Sequence, residues 1–162
     1  MKKCVSLLLM AFLLSGCGAE ETFETIADEF IREAAAPAAE IHLALPEEAA
    51  VPVSESENGT LYQCDGYDLQ VQTLEAGDLD RTLRTISGRG REALMVLETG
   101  AAGIKRYDLV WSCMGEAGEL VCRGCILDDG NYHYALTAQA EADRAGELEP
   151  VWEEIFGSYS VD

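Results

Sequence analysis

The chain has 162 residues, with 11 Lys and Arg against 30 Asp and Glu, for a formal charge of −19 at pH 7. That balance repels phosphate backbones and anionic membrane faces, so nucleic acid is a poor partner. Length and a hydrophobic share of 48% fit one domain with an ordinary core, and disorder is not expected outside short linkers.

The first element is a leader. Lys2 and Lys3 precede an apolar run over residues 5–14, which ends in Leu14-Ser15-Gly16-Cys17. At ~1.5 Å per residue the run is too short to cross ~30 Å of hydrocarbon. A plain secretory signal ends in an A-x-A-like site, and none precedes residue 20. A positive start, an apolar middle, small residues and then Cys resembles the lipobox of bacterial lipoprotein signal peptides. The resemblance implies that residues 1–16 are cleaved and that Cys17 is acylated and becomes the first residue. The protein would then be held on the extracytoplasmic face of the cell membrane through that lipid, with residues 17–21 as a short tether. Cys4 leaves with the leader, and the remainder carries nine basic against 30 acidic residues, a charge of −21.

Residues 22–162 are expected to form a single domain. Phe23, Ile26, Ala27, Phe30, Ile31 and Ala34 recur at helical spacing, with Thr22 as N-cap and Pro37 as stop, which predicts a helix over residues 22–35. Its other face, with Glu24, Asp28, Glu29 and Glu33, is acidic, unlike the Lys/Arg-rich face of an interfacial membrane helix. Alternation over residues 40–45 predicts a strand ended by Pro46, and residues 47–59 an acidic, solvated loop. Residues 60–64 and 67–74 predict a hairpin across Asp65-Gly66. Asp78 caps a short helix with Leu79, Leu83 and Ile86 on its apolar stripe, and Gly88 closes it. A strand over residues 93–99 follows, then a three-strand meander over 106–113, 119–127 and 131–138, with Asp128-Asp129-Gly130-Asn131 at its second turn. The last helix is expected from about Glu147 or Glu149 to Phe156, with Pro150 early, where its missing N–H costs nothing, Val151, Trp152 and Ile155 inward, and Phe156 a further candidate for the inward face. Residues 157–161 end the chain as extended structure.

Strands in a meander, a few helices and no βαβ rhythm predict an α+β domain with an antiparallel sheet of about six strands. The hairpin, the helix closing on Gly88, the meander containing Tyr132-His133-Tyr134-Ala135-Leu136-Thr137, and a final helix near Phe156-Gly157-Ser158-Tyr159 look like PsbP-like domains. That resemblance covers residues 60–160 and implies an α/β/α sandwich whose members mostly bind or stabilise partners rather than catalyse. It maps no ligand residue onto this chain.

Cys64, Cys113, Cys122 and Cys125 remain besides Cys17, and an even number in an exported domain points to disulfides. A turn at Ala117-Gly118 places Cys113 opposite Cys122 and Trp111 opposite Gly124, which makes Cys113–Cys122 the first candidate and leaves Cys64 and Cys125 as the second pair. A redox role for Cys122-Arg123-Gly124-Cys125 is disfavoured, because residues three apart on a strand face opposite sides. No second CxxC or His pair completes a zinc site, and Asp128 and Asp129 lack the remainder of a calcium loop, so no metal and no cofactor is expected. His133 has no partner at catalytic spacing. Arg81, Arg84, Arg89 and Arg91 concentrate positive charge within eleven positions, either for a carboxylate or phosphate ligand or to neutralise neighbouring carboxylates.

The expectation is a non-catalytic, lipid-anchored protein that binds or supports an unidentified envelope component. The alternatives are a lipoprotein binding a small anion through residues 81–91, and a thiol-redox protein.

Overall fold

A computed structural model of the chain describes residues 36–49 and 51–162. The leader, Cys17 and the helix predicted over residues 22–35 lie outside the described residues. Strand β1 (Ile41–His42) is shorter than the predicted 40–45. Its alternation serves packing rather than a ladder, because Ile41, Leu43 and Leu45 all lie against one core.

The segment 47–59 corrects the expectation of a plain loop. It makes a 3₁₀ turn (Glu47–Ala49) and then strand β2 (Ser54–Ser56), which pairs with β3 (Gly59–Gln63). Ser54, Glu55 and Ser56 are all exposed at a sheet edge, so they carry no apolar alternation to reveal a strand. β3 turns into β4 (Tyr67–Glu75) through Asp65-Gly66 as expected, with Gly66 at φ +83° and the Cys64 N–H donating to the Tyr67 carbonyl at 2.9 Å. Helix α1 (Leu79–Ser87) also forms where expected. The Asp78 carboxylate accepts the Asp80 N–H at 3.1 Å, and Gly88 adopts φ +69° while donating to the Arg84 carbonyl.

Strands β5 (Met95–Ala101), β6 (Ile104–Met114), β7 (Glu119–Asp128) and β8 (Tyr132–Glu141) form the meander. The β6–β7 register differs from the predicted one by two residues: Trp111 faces Cys122, Leu109 faces Gly124 and Cys113 faces Leu120. The predicted register would set Glu116 opposite Glu119, a like-charge cross-strand pair. The observed turn instead closes with the Gly115 N–H on the Gly118 carbonyl at 2.7 Å and leaves Glu116 outside the ladder. A two-residue shift keeps every side chain on its face. Trp111 therefore still covers Gly124, where an added Cβ would lie 3.1 Å from its ring. At the β7–β8 turn, Asp128 accepts from Gly130 N–H, and Asp129 from Asn131 and Tyr132 N–H, all within 2.8 Å.

Helix α2 (Ala145–Ser158) starts earlier than expected, and Pro150 is its sixth residue rather than its second or fourth. Burial of Leu148 fixes this start, and Pro150 leaves the Gly146 carbonyl without its helical donor. Strand β9 (Ser160–Val161) pairs with β1, and the His42 ring bonds the Asp162 carboxylate.

Among the described residues the sheet has seven antiparallel strands in the order β2-β3-β4-β8-β7-β6-β5, against the six expected, with a separate β1–β9 pair. Even-numbered residues of β7, such as Cys122 and Ile126, pack with Leu83 of α1. Odd-numbered ones, such as Cys125 and Leu127, pack with Trp152, Ile155 and Phe156 of α2. The result is an α/β/α sandwich, and Trp152 meets Tyr67 edge-on at 6.4 Å.

Candidate functional site

The cysteines divide between the two faces. Cys113 and Cys122 share the α1 face, with their Sγ atoms 3.6 Å apart as free thiols. Burial, and then the neighbouring Cys113 thiol, push Cys122 up to about 12, with Arg89 opposing. Cys125 lies on the α2 face, and burial pushes it up to about 12 as well. Both are protonated thiols at neutral pH, which is the reverse of a redox nucleophile.

Cys64 and Cys125 are not brought together. Cys64 lies in the row of Tyr67, Ala140 and Val121, whereas Cys125 lies in the row of Leu136 and Val71. The rows are four residues apart, about 13 Å along the strands alone and well beyond the ~7 Å reach of a disulfide. The expected second pair is therefore corrected to two separate thiols. Burial raises the Cys64 thiol, the Glu48 and Asp68 carboxylates add to this, and the Tyr67 hydroxyl opposes it.

His133 is 2% exposed and points at α1, its Nδ1 2.7 Å from the Thr82 hydroxyl and its Nε2 3.8 Å from Asp128. Burial holds its pKa below the ordinary imidazole value, against the pull of Asp128 and Asp129. The unfolded chain then binds more protons than the folded one as pH falls below about 6.5, so His133 favours folding fully above that value and loses this contribution on acidification. We expect the melting temperature to fall between pH 7 and pH 5 and the slope to flatten in His133→Gln. Parallel slopes in the two proteins would refute this role.

Arg81, Arg84, Arg89 and Arg91 are all exposed. Arg91 reaches Asp80 at 3.9 Å, and the other three make no ion pair among the described residues. Asp128 and Asp129 are spent on the β7–β8 turn, with Asp129 also accepting from the Tyr134 hydroxyl at 2.9 Å. Burial raises the Asp129 pKa, but its donors outweigh this and hold it below the usual carboxylate range. Among the described residues no three His, Cys, Asp or Glu side chains gather to hold a metal, and no helix is long and apolar enough to cross a membrane.

One concavity was missed from sequence. Among the described residues, α2 covers the middle of the sheet and leaves β5 and β6 open on that face. A trough of about 570 Å³ results, with Met95 and Leu97 of β5 on one wall, Val110 on the floor, and Glu149, Trp152 and Glu153 of α2 on the other wall. A second hollow, of about 360 Å³, continues along β5 past Thr99 and Ala101 to Tyr159 and Val161. Met95 and Leu97 are 77% and 62% exposed. Arg123 is held at the trough by the Phe156 ring, 4.7 Å from its centroid. None of the four clustered arginines lines either hollow.

No protein-family model matches the chain, and no curated protein matches it. The solution structure of cyanobacterial PsbP (CyanoP) from Synechocystis sp. PCC 6803 is similar at a TM-score of 0.55 and 12% identity, over 75% of this chain and 86% of that one. The crystal structure of PA94 from Pseudomonas aeruginosa, a protein of unknown function, reaches 0.46 at 14% identity, over 70% and 91%. The first similarity bears out the PsbP-like fold expected from residues 60–160.

Proposed function

We propose that the protein is a non-catalytic binding module, held on the extracytoplasmic face of the cell membrane by lipid on Cys17, that docks another envelope component in the trough between β5 and α2. The observation that carries the binding role is the trough itself. It is an apolar concavity flanked by Met95 and Leu97, large side chains that a self-contained domain would bury or replace. The Leu14-Ser15-Gly16-Cys17 pattern supports the anchor. A photo-crosslinking residue at Leu97 should trap a discrete adduct in intact cells, whereas one at exposed Thr85 on α1 should not. Adducts at neither position, or equally at both, would end the docking role.

A second role, capture of a small carboxylate or phosphate by Arg81, Arg84 and Arg89, has in its favour that these side chains carry no internal partner among the described residues. They also line neither hollow, so an anion there would stay in screening solvent. A thiol-redox role is disfavoured by Cys122 and Cys125 facing opposite sides of the sheet.

Outside the cytoplasm the paired thiols on the α1 face should oxidise. Cys113 and Cys122 would give up two electrons and two protons to an oxidant disulfide and become joined. Non-reducing peptide mapping of protein isolated under acid quench should show that one linkage. Cys122 joined to Cys125, or all four thiols free, would contradict it.

A further inference from the structure

We infer that the trough and the outer edge of β5 together bind an extended, basic and apolar segment of a partner protein, which adds to the sheet as an eighth strand beside β5. The inference rests on the docking role proposed above and specifies its partner.

The two edges of the sheet are built differently. β2 has three residues, all exposed and polar, and follows Pro52, so it is poorly suited to further pairing. β5 has seven residues, no proline and a single charge, Glu98. Among the described residues no strand pairs with its outer side. A long edge without these protections is a template for strand addition. Met95, Leu97, Thr99 and Ala101 project from it onto the trough face, so a strand added there would extend a surface that is already concave and apolar.

Charge selects the occupant. Glu149 and Glu153 lie one helical turn apart on the wall facing β5, and Asp108 lies on the floor. Asp108 is committed to Arg106 at 3.0 Å, and the Arg123 cation, stacked on Phe156, offsets one of the two exposed glutamates, so the lining keeps a single net negative charge. Arg or Lys side chains can lay their aliphatic stems over Met95 and Leu97 and reach those carboxylates. A second copy of this chain would bring the same acidic wall, with a formal charge of −19 on each molecule, and is disfavoured.

The full-length protein is titrated with three capped decapeptides: alternating Val and Arg, the same with Glu for Arg, and the first with Pro for every Val. Hydrogen exchange of the β5 amides is followed throughout. Only the Val/Arg peptide should bind measurably and slow exchange along β5. Leu97→Lys and the double variant Glu149→Gln/Glu153→Gln should each weaken it about tenfold or more, while Thr85→Ala should not. Equal binding of the proline peptide would mean charge attraction alone and overturn the inference. So would binding without new protection of the β5 amides that do not bond β6, no binding, or those outward amides already protected before peptide is added, whether at all protein concentrations or only at high ones. If Leu97 crosslinks in cells while the Val/Arg peptide fails, the docking role stands and only the partner chemistry falls. If both fail, the docking role falls too.

Discussion

Cys17→Ala should move the protein from the membrane fraction to the soluble fraction and abolish labelling by a clickable palmitate analogue. The expected change is nearly complete because little else offers attachment. With a formal charge of −21 over residues 17–162, the part the proposed cleavage would leave is repelled by anionic headgroups. Among the described residues no helix is long and apolar enough to span a bilayer. Each buried CH₂ contributes about 0.8 kcal/mol, so one acyl chain holds a protein only reversibly whereas two give a stable anchor. On the proposed anchor, loss of the Cys17 thiol removes all of this at once. Leu97→Lys serves as the companion variant: it alters the trough and should leave fractionation unchanged. Cys17→Ala protein that still sediments with membranes after a high-salt wash would refute the lipid anchor.

Local signals were legible in the sequence where chemistry within a few residues decides the structure. Asp78 and Gly88 mark both ends of α1 because a cap and a left-handed closure are properties of single positions. Asp65-Gly66 and Asp129-Gly130 mark their turns for the same reason. The β6–β7 register was not legible to within two residues. It depends on whether Glu116 enters the ladder opposite Glu119 or stays in the turn, a competition between two turn lengths. β2 was invisible because Ser54-Glu55-Ser56 has no buried side to leave a pattern. Pro150 pointed to a later helix start, and burial of Leu148 overrode it. The trough could not be read at all. It exists because α2 covers β7, β8 and β4 but not β5, and no local pattern says which strand a helix will leave bare. The one available trace was Met95-Val96-Leu97, apolar on both faces of a strand. The arginines showed the opposite: conspicuous in sequence, yet spread on the surface away from either hollow.

Phe156→Ala should destabilise the domain by about 3–5 kcal/mol, the range for removing a fully buried aromatic ring from a packed core. Phe156 is 0% exposed and sits where α2 meets the sheet. Its loss is felt beyond its own contacts. The ring supports the Arg123 guanidinium at the trough, and the Phe156 carbonyl accepts a bond from Arg106 Nη2 at 2.9 Å. Removing the ring leaves a void beneath a cation and loosens the last turns of α2, the helix that supplies Glu149, Trp152 and Glu153 to the trough wall. Against a typical total of about 5–15 kcal/mol this is a large share, equivalent to a melting temperature lower by roughly 10–20 °C. Met95→Ala is the matched comparison. Met95 is 77% exposed, so its removal should change stability by no more than about 0.5 kcal/mol while removing part of the trough wall. Urea unfolding of the two variants decides the matter: comparable losses, or less than about 1 kcal/mol for Phe156→Ala, would mean that α2 is not seated on the sheet through Phe156.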